Sequence, residues 1–335
     1  MSPHPALSRR GFLGLSAGVG AAALLAACGG DDATTAAPAA SGSAAPAAMT
    51  VTTCVYAKNH ASSPLFWQRF APPGVTVEVT PIASSAEVQQ GLEAGQFDAG
   101  LMGVYNTITA GSETITSKLI AMVSRQGLGL IGRTGEVEDA ASLRGKKVAV
   151  PPPGVQVLIL TELLRDAGLE LGKDVEAIPL GYADHPEALE RGDVQAYMGT
   201  EPLCTQSVAA GIGTRVPGVY DTALGDFNTG LWASAKVLQD PDKVRVITAM
   251  NKAAAEYLTP GGQNDRPAWK DLLVTQFGYS EQVYENVLVN VGAEWRFDDK
   301  RVGQFEGAGK VLQAAGTITS QPDYERFYAR EYWEV

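Results

Sequence analysis

The sequence predicts an α/β protein with two lobes, and an internal repeat is the main observation behind that prediction. Residues 90–106 read QGLEAGQFDAGLMGVYN, and residues 187–202 read EALERGDVQAYMGTEP. Both copies have the pattern of a helix end, a glycine, a short apolar strand and a glycine-marked loop. Ligands of open α/β sheets bind at the carboxyl ends of strands, so we expect each unit to supply one loop to a shared cleft. A chance repeat of Leu, Gly and Ala is the alternative.

The first lobe is predicted to comprise residues 50–131 and 230–335. Alternating and short apolar runs predict its strands, Ser85 is expected to cap its second helix, and Gly95 suits the left-handed position that ends that helix. The predicted strands are 51–57, 75–82, 97–102 and 119–123. The predicted helices are 64–70, 86–94, 241–258, 269–277, 281–291, 299–315 and 324–332, and Asp240 with Pro241 is the expected cap and first-turn pair of the third.

The second lobe is predicted to comprise residues 132–229, entered through a crossing at 128–133 and left through a return at 228–234. Its most apolar helix, 155–167, follows a rigid proline turn, so the free N–H groups at its start suit an anion. Gly192 is expected to end another helix. The predicted strands are 146–150, 174–179, 194–198 and 214–219, and the predicted helices are 139–143, 155–167, 186–191 and 203–210.

The N-terminus predicts export and lipid anchoring. A twin-arginine pattern, SRRGFL, stands at residues 8–13, and a short apolar run leads into the lipobox LAAC, which ends at Cys28. We therefore expect a signal peptide over 1–27, a lipidated Cys28, and a flexible tether of small residues over 28–49. The expected location is the outer face of the cytoplasmic membrane. A transmembrane helix is the alternative, but the apolar run is short for a span.

Composition excludes several classes of function. The net charge of −11 argues against nucleic acid as a partner, since such binding needs clustered Lys and Arg. Cys54 and Cys204 are expected to be buried and unpaired, with a disulfide as the alternative. His60 and His185 stand alone without metal-ligand spacing, so no metal, no cofactor and no catalytic residue is predicted. A GxGxxG match at 127–132 is not followed by a long helix, so it does not indicate a dinucleotide site.

Several motifs resemble the solute-binding proteins of ABC importers. They are the lipobox, GQFDAGL at 95–101, LRGKKVAVP at 143–151, ALERGDVQA at 188–196 and TEP at 200–202. The nearest branch handles aliphatic sulfonates, taurine, nitrate and thiamine-pyrimidine precursors. The resemblance implies a two-lobed periplasmic-binding-protein-like fold (type II), with two α/β lobes joined by two hinge crossings. It also implies a monomer that closes on a small-molecule ligand and delivers it to ABC permease subunits.

The resemblance places ligand-binding residues in the strand-end loops. They are Lys58, Asn59, His60, Ser84, Ser85, Gly103, Tyr105, Gly154, Gln156, Glu201 and Asn228. Gln156 is the strongest candidate, because a long amide in the first turn of an apolar helix has little packing reason to be there. Sulfonate and nitrate binders of this branch tend to have Ser or Thr after the equivalent of Gly154. Val155 and Gln156 stand there instead, so the backbone N–H groups remain but the hydroxyl donors are absent.

The predicted function is capture of a small organic molecule bearing a sulfonate or carboxylate. A neutral heterocycle or vitamin precursor is the first alternative. An exported enzyme on the same scaffold is the second, with Glu201 and His60 as its proposed acid–base pair. A surface adhesin or signalling lipoprotein, which would bind a protein, is the third.

Overall fold

The strands of this computed structural model form three sheets within the described residues, 48–151 and 154–333. The predicted signal peptide, Cys28 and all but the last two residues of the predicted tether lie outside the described residues. The two strands β1 (Met49–Tyr56) and β2 (Val75–Ile82) pair in parallel along their full length. Along the described chain, no helix combines the length and the apolar character that a membrane crossing requires.

A four-stranded antiparallel sheet lies beside β1. Its strand order is β11-β4-β10-β3, and its strands are β3 (Ala99–Gly103), β4 (Lys118–Gln126), β10 (Phe227–Ala233) and β11 (Val291–Ala293). The Asp98 N–H, just before β3, donates to the Thr52 carbonyl of β1 at 2.9 Å. The first strands of the chain are therefore attached to this sheet through its β3 edge.

A five-stranded mixed sheet forms the second half of the molecule. Its strand order is β7-β6-β8-β5-β9, and its strands are β5 (Leu128–Arg133), β6 (Lys147–Val150), β7 (Glu176–Pro179), β8 (Ala196–Thr200) and β9 (Gly213–Val216). The strand β6 pairs in parallel with both β7 and β8, while β5 is antiparallel to β8 and β9.

Helices cover both larger sheets. They are α1 (Trp67–Phe70), α2 (Ser85–Glu93), α3 (Val104–Ala110), α4 (Val155–Asp166), α5 (His185–Arg191), α6 (Leu203–Ala209), α7 (Pro241–Leu258), α8 (Arg266–Lys270), α9 (Glu281–Val287) and α10 (Asp299–Ala314). The longest, α7, begins as predicted, because the Asp240 carboxylate accepts a hydrogen bond from the Lys243 N–H at 3.1 Å. Its buried face, from Val244 to Leu258, packs in one core with strand residues of the four-stranded sheet.

The repeat predicted from the sequence has the expected local structure. Gly95 and Gly192 both have left-handed backbones, with φ of 66° and 80°, and each follows the helix that it was predicted to end. The first copy leads into β3 and the second into β8, which belong to different sheets. Each sheet thus receives one strand from the repeat.

Some elements differ from the prediction for local reasons. Ser84 rather than Ser85 caps α2, because Ser84 has the extended backbone of a cap and its hydroxyl accepts from the Glu87 N–H. The helix α3 replaces a loop that was predicted from Gly103 onward. The predicted helix 281–291 ends early, and its last residue begins β11.

The predicted helix 324–332 is two short 3-10 turns, Tyr324–Phe327 and Arg330–Tyr332. Tertiary contacts outweigh the helical pattern there. The Ala329 N–H donates to the Leu119 carbonyl of β4 at 3.2 Å, which draws the backbone to the sheet edge. The Phe327 ring packs edge-on against Phe305 of α10.

The crossing between the larger sheets is one residue long. Gln126 ends β4, Leu128 begins β5, and Gly127 stands between them with φ of 82°. All of β5 belongs to the five-stranded sheet. This favours a lobe boundary at Gly127, before β5, rather than at residue 131, inside it. The division of the chain into two lobes at these positions remains a prediction.

Gly127 is packed so tightly that a side chain would not fit. A Cβ atom there would lie 1.8 Å from Nε2 of the buried His60 imidazole. We expect Gly127→Ala to lower the free energy of unfolding through two costs: about 1–2 kcal/mol for the left-handed backbone and about 1–3 kcal/mol for the overlap. Urea unfolding of the purified protein measures their sum.

Gly135→Ala is the matched control. Gly135 has a similar φ of 77°, and a Cβ atom there would meet no neighbour within 4 Å among the described residues. The control should therefore show the backbone cost alone. Equal losses in the two variants would mean that the His60 contact does not constrain the crossing.

Candidate functional site

A cavity of about 480 Å³ lies between the four-stranded and the five-stranded sheets. Loops at the ends of strands and the N-terminal ends of helices supply its walls, as the strand-end rule predicts. Its lining residues are Tyr56, Asn59, Ala83, Ser84, Ser85, Ala86, Gly103, Asn106, Leu128, Pro151, Gly154, Val155, Gln156, Gly181, Tyr182, Thr200, Asn228 and Thr229. These lining residues include no Asp, Glu, Lys, Arg or His.

The wall on the side of the four-stranded sheet contains a phenol and two serines. Tyr56 ends β1, and its hydroxyl lies 2.6 Å from Ser85 Oγ while donating to the Leu101 carbonyl at 3.0 Å. Burial raises the pKa of Tyr56, so the phenol stays protonated at neutral pH. Ser84 caps α2 next to these groups.

The opposite wall is built on the start of α4 and the end of β7. Gly154 is the cap residue of α4, and no side chain of the described residues bonds to the N–H groups at that cap. Gln156 lies in the first turn. Gln156 Nε2 donates to the Tyr182 hydroxyl at 2.8 Å. Burial raises the pKa of Tyr182 to about 12, although the Gln156 hydrogen bond opposes the shift. Both side chains are thus neutral partners at physiological pH.

The floor of the cavity joins the two sheets through hydrogen bonds. Asn59 Nδ2 donates to Thr200 Oγ1 at 3.0 Å, and Thr200 Oγ1 donates to the Gly127 carbonyl at 3.1 Å. The His60 N–H donates to the Glu201 carbonyl at 3.3 Å. The loop after β1 is therefore bonded directly to the loop after β8.

His60 has a fixed tautomer in this floor. Its Nε2 lies 3.0 Å from Asn228 Nδ2, an amide donor that also bonds the Gln126 carbonyl, so Nε2 accepts. Its Nδ1 then carries the proton and donates to the Glu201 carbonyl at 3.3 Å. Burial lowers the pKa of His60 to about 4, and the Glu201 and Gln126 backbone carbonyls oppose that shift. The imidazole is a neutral link between the two crossings of the chain.

Glu201 lies behind the floor in its own ion pair. The side chain is fully buried, pairs with the Arg215 guanidinium, and accepts from the Thr205 N–H at 3.0 Å. Burial raises the pKa of the Glu201 carboxyl, and the Arg215 charge opposes that shift. With these partners, the carboxylate holds the start of α6 to β9 rather than lining the cavity.

Seven of the eleven predicted site residues line the cavity, and four do not. The seven are Asn59, Ser84, Ser85, Gly103, Gly154, Gln156 and Asn228. Lys58 is exposed, with a φ of 52° and a carbonyl that accepts from the Tyr279 hydroxyl. Tyr105 is half-buried on α3, outside the lining. His60 and Glu201 lie beneath the floor, and the ligand-binding role of all eleven residues remains a prediction.

The lining also contains polar residues that the sequence did not single out. Tyr56, Thr200 and Tyr182 stand at or just after the ends of β1, β8 and β7. The strand-end rule, applied to every strand alike, would have selected them. Asn106 ends the first repeat unit, whose loop was expected to face the cleft, and the structure forms that loop as α3. Thr229 lies inside β10, and no sequence signal pointed to it.

The thiols and potential metal ligands lie elsewhere. Cys54 and Cys204 are free and buried, as predicted, and neither lines the cavity. Burial raises the pKa of Cys54 to about 11, which disfavours a thiolate nucleophile. Among residues 48–151 and 154–333, no group of three or more His, Cys, Asp or Glu side chains could hold a metal ion.

Comparison with known proteins finds one family and many similar structures. The model of the NMT1-like family matches residues 39–268. The ligand-binding component of an ABC-type import system from Staphylococcus aureus, solved with zinc bound, is 14% identical with a TM-score of 0.71, over 85% of this chain and 98% of that one. The periplasmic aliphatic sulphonate binding protein from Escherichia coli is 16% identical with a TM-score of 0.67, over 84% and 92%.

A desulfurization enzyme is also similar, at 16% identity with a TM-score of 0.61, over 85% of this chain and 97% of that one. No curated protein matches the sequence. At these identities the likeness shows the fold, and it confirms the predicted two-lobed, periplasmic-binding-protein-like fold class.

The two buried histidines should make stability depend on acid pH. Burial lowers the pKa of both His60 and His185 to about 4, from 6.5. Between pH 4 and 6.5 the unfolded chain therefore binds more protons than the folded one, and stability falls as pH falls. Each histidine should remove up to about 1.4 kcal/mol per pH unit in that window. Urea unfolding from pH 7.5 to 4.5 measures the slope.

His185→Phe separates this effect from general acid destabilisation. The His185 ring contacts the rings of Tyr182 and Tyr197, and Phe preserves those contacts while removing the titrating group. The variant should show a slope shallower by about one proton. An unchanged slope would contradict the assignment of acid sensitivity to this histidine.

Proposed function

The chain belongs to the NMT1-like family, and we propose that it is the extracytoplasmic solute-binding protein of an ABC importer. It captures a small organic molecule between its two lobes and delivers it to permease subunits in the membrane. The observation that carries the proposal is the 480 Å³ cavity, lined by strand ends of both larger sheets. Its volume lies within the usual range for small-molecule sites.

The helix starts around the cavity favour a solute with an anionic group. The cap residues of α2 and α4, Ser84 and Gly154, both line the cavity. Helix N-termini carry partial positive charge and unpaired N–H groups, which stabilise a sulfonate or carboxylate without a formal cation. An acid of this kind is the first candidate solute.

The composition of the lining favours a neutral solute as the second candidate. Its polar side chains are amides and hydroxyls, and Lys58, the one cation among the predicted site residues, is exposed and outside the lining. An anion would be held by dipoles alone, whereas a neutral heterocycle would use the same donors and acceptors without a desolvation cost for its charge. The two candidates differ in one measurable property, the dependence of binding affinity on the charge of the ligand.

Lobe closure is the proposed means of capture. The bonds from Asn59 to Thr200 and from His60 to Glu201 connect loops of the two sheets at the cavity floor. A bound solute would add contacts to both walls above that floor. It would thereby shift the balance from an open to a closed form, because it makes more contacts in the closed one.

An enzyme is the alternative that the desulfurization enzyme's similarity keeps open. The acid–base pair that the sequence suggests, Glu201 and His60, gives the enzyme alternative little support. The His60 ring nitrogens are bonded to Asn228 and to the Glu201 backbone, and the Glu201 carboxylate is bonded to Arg215. Chemical conversion of a bound molecule, followed by NMR, would favour the enzyme over the binding protein.

A ligand screen tests the proposed function. A panel of sulfonates, carboxylates and heterocycles should contain a compound that raises the unfolding temperature of the purified protein. A ligand at 100 times its Kd adds about 2.7 kcal/mol to the free energy of unfolding. Failure of the whole panel would contradict a small-molecule function.

Matched compounds then separate the two candidate classes. Each acid of the panel is compared with its uncharged amide at the same pH. An acid preferred by tenfold or more supports the anionic solute, and an amide bound equally well supports the neutral one.

Lipid anchoring through Cys28 is part of the same proposal. The lipobox ends at this residue, and a covalent lipid would hold the exported protein at the membrane. Replacing Cys28 with Ser should move the protein from the membrane fraction to the soluble extracytoplasmic fraction, with unchanged solute affinity. Retention of the Cys28→Ser protein in the membrane fraction would contradict the anchor.

A further inference from the structure

The hydroxyl groups on the wall next to the four-stranded sheet already have acceptors within the protein. The Tyr56 proton goes to the Leu101 carbonyl at 3.0 Å. The contact of 2.6 Å between Tyr56 and Ser85 must then use the proton of Ser85. Ser84 Oγ donates to Glu87 Oε1 at 3.3 Å. The hydroxyl oxygens of this wall can therefore accept hydrogen bonds from a solute, but their protons are not available for donation to it.

The two threonines of the lining are committed in the same way. Thr200 donates to the Gly127 carbonyl at 3.1 Å, and Thr229 donates to Asn228 Oδ1 at 3.0 Å. Six residues of the lining carry hydroxyls. Five of these six protons therefore have an acceptor within the protein.

Tyr182 is the exception among the six. Its hydroxyl accepts from Gln156 Nε2 at 2.8 Å, and no acceptor in the described part of the chain takes its own proton. The ring is held from the other side by His185, whose centroid lies 5.9 Å away in an edge contact. His185 Nε2 is in turn 3.0 Å from the Leu180 carbonyl. The phenol is thus fixed in place with its proton available to the cavity.

From this asymmetry we infer that Tyr182 is a specificity-determining residue, which donates its proton to an acceptor oxygen of the solute. Gln156 is its positioning residue. By occupying the lone pair on the protein side of the Tyr182 oxygen, the Gln156 amide directs the Tyr182 proton away from the protein. This inference rests on the proposed function, because it assigns an orientation to the solute in the same cavity.

The two walls together define a class of solute. An acceptor oxygen, as in a sulfonate, carboxylate or carbonyl, binds at the wall of Tyr182 and the α4 N-terminus. The lone pairs of Tyr56 and Ser85 on the opposite wall suit an N–H or O–H donor. The preferred solute is therefore a small molecule with an acceptor group at one end and a hydrogen-bond donor at the other.

Four compounds and two phenol variants test the orientation. The probes are 4-hydroxybenzenesulfonate, benzenesulfonate, 4-hydroxybenzoate and 4-hydroxybenzamide, and their affinities are measured by calorimetry. Tyr182→Phe should weaken the binding of the charged acceptors about tenfold or more, since a hydrogen bond to a charged group is lost. Tyr56→Phe is the matched control. It should instead reduce the preference for 4-hydroxybenzenesulfonate over benzenesulfonate.

Gln156 variants test the positioning role without removing the phenol. Gln156→Leu should weaken the same acceptor probes severalfold. Gln156→Glu supplies an acceptor that takes the Tyr182 proton, so even uncharged 4-hydroxybenzamide should bind more weakly. A purely structural role for Gln156 would give both variants equal losses for every probe. Far-ultraviolet circular dichroism checks that each variant is folded.

The outcomes distinguish this inference from the proposed function. If neither these probes nor the wider panel bind the wild-type protein, the proposed function fails and the inference fails with it. If a probe binds and Tyr182→Phe changes its affinity threefold or less, the assignment of Tyr182 alone is wrong. Equal losses in Tyr182→Phe and Tyr56→Phe across all four probes would likewise overturn the orientation.

Discussion

A buried junction around His60 connects the two larger sheets and forms the floor of the cavity. At Gly127 the chain passes from β4 to β5 in one residue, and the His60 imidazole packs on the backbone where a side chain would otherwise stand. The imidazole is bonded to the Asn228 amide and the Glu201 carbonyl, so one side chain joins its own segment to two others. Without these partners, each buried polar group would lower the stability of the folded protein. The junction therefore constrains the crossings and the floor together.

Formal charges are kept behind the cavity rather than in it. Glu201 is paired with Arg215 beneath the floor, and Asp226 is paired with Arg301 near the start of β10. Although burial raises the pKa of Asp226, the Arg301 and Gln304 contacts hold it well below its usual range. The cavity is left with amides, hydroxyls and helix starts. In such a site, the direction in which each hydroxyl proton points is what distinguishes one solute from another, and this gives the Gln156–Tyr182 bond its importance.

The accuracy of the sequence predictions depends on how local the determining interactions are. The strand β2 and the start of α7 have the predicted bounds, since alternation and an Asp-Pro cap are encoded in a few neighbouring residues. The predicted helix from 324 to 332 was wrong, because the backbone there bonds to β4, some 200 residues earlier in the chain. The cavity residues follow the same division. Gln156 stood out as an amide in an apolar helix. Thr229 lies inside a strand, and no local pattern shows that its side of the strand faces the cavity.

The sequence by itself determined the α/β class, most strands and caps, the two left-handed glycines of the repeat, and the family resemblance. These properties depend on periodicity, turn chemistry and motifs, which a single chain displays directly. Only the tertiary structure decided which strand-end residues face the cavity and which lie beneath it. Lys58, His60 and Glu201 were candidates in the sequence alongside Asn59 and Gln156. Partners distant in sequence, such as Asn228 for His60 and Tyr182 for Gln156, fix where each side chain lies and where its proton goes. Those partnerships arise only when the two sheets meet.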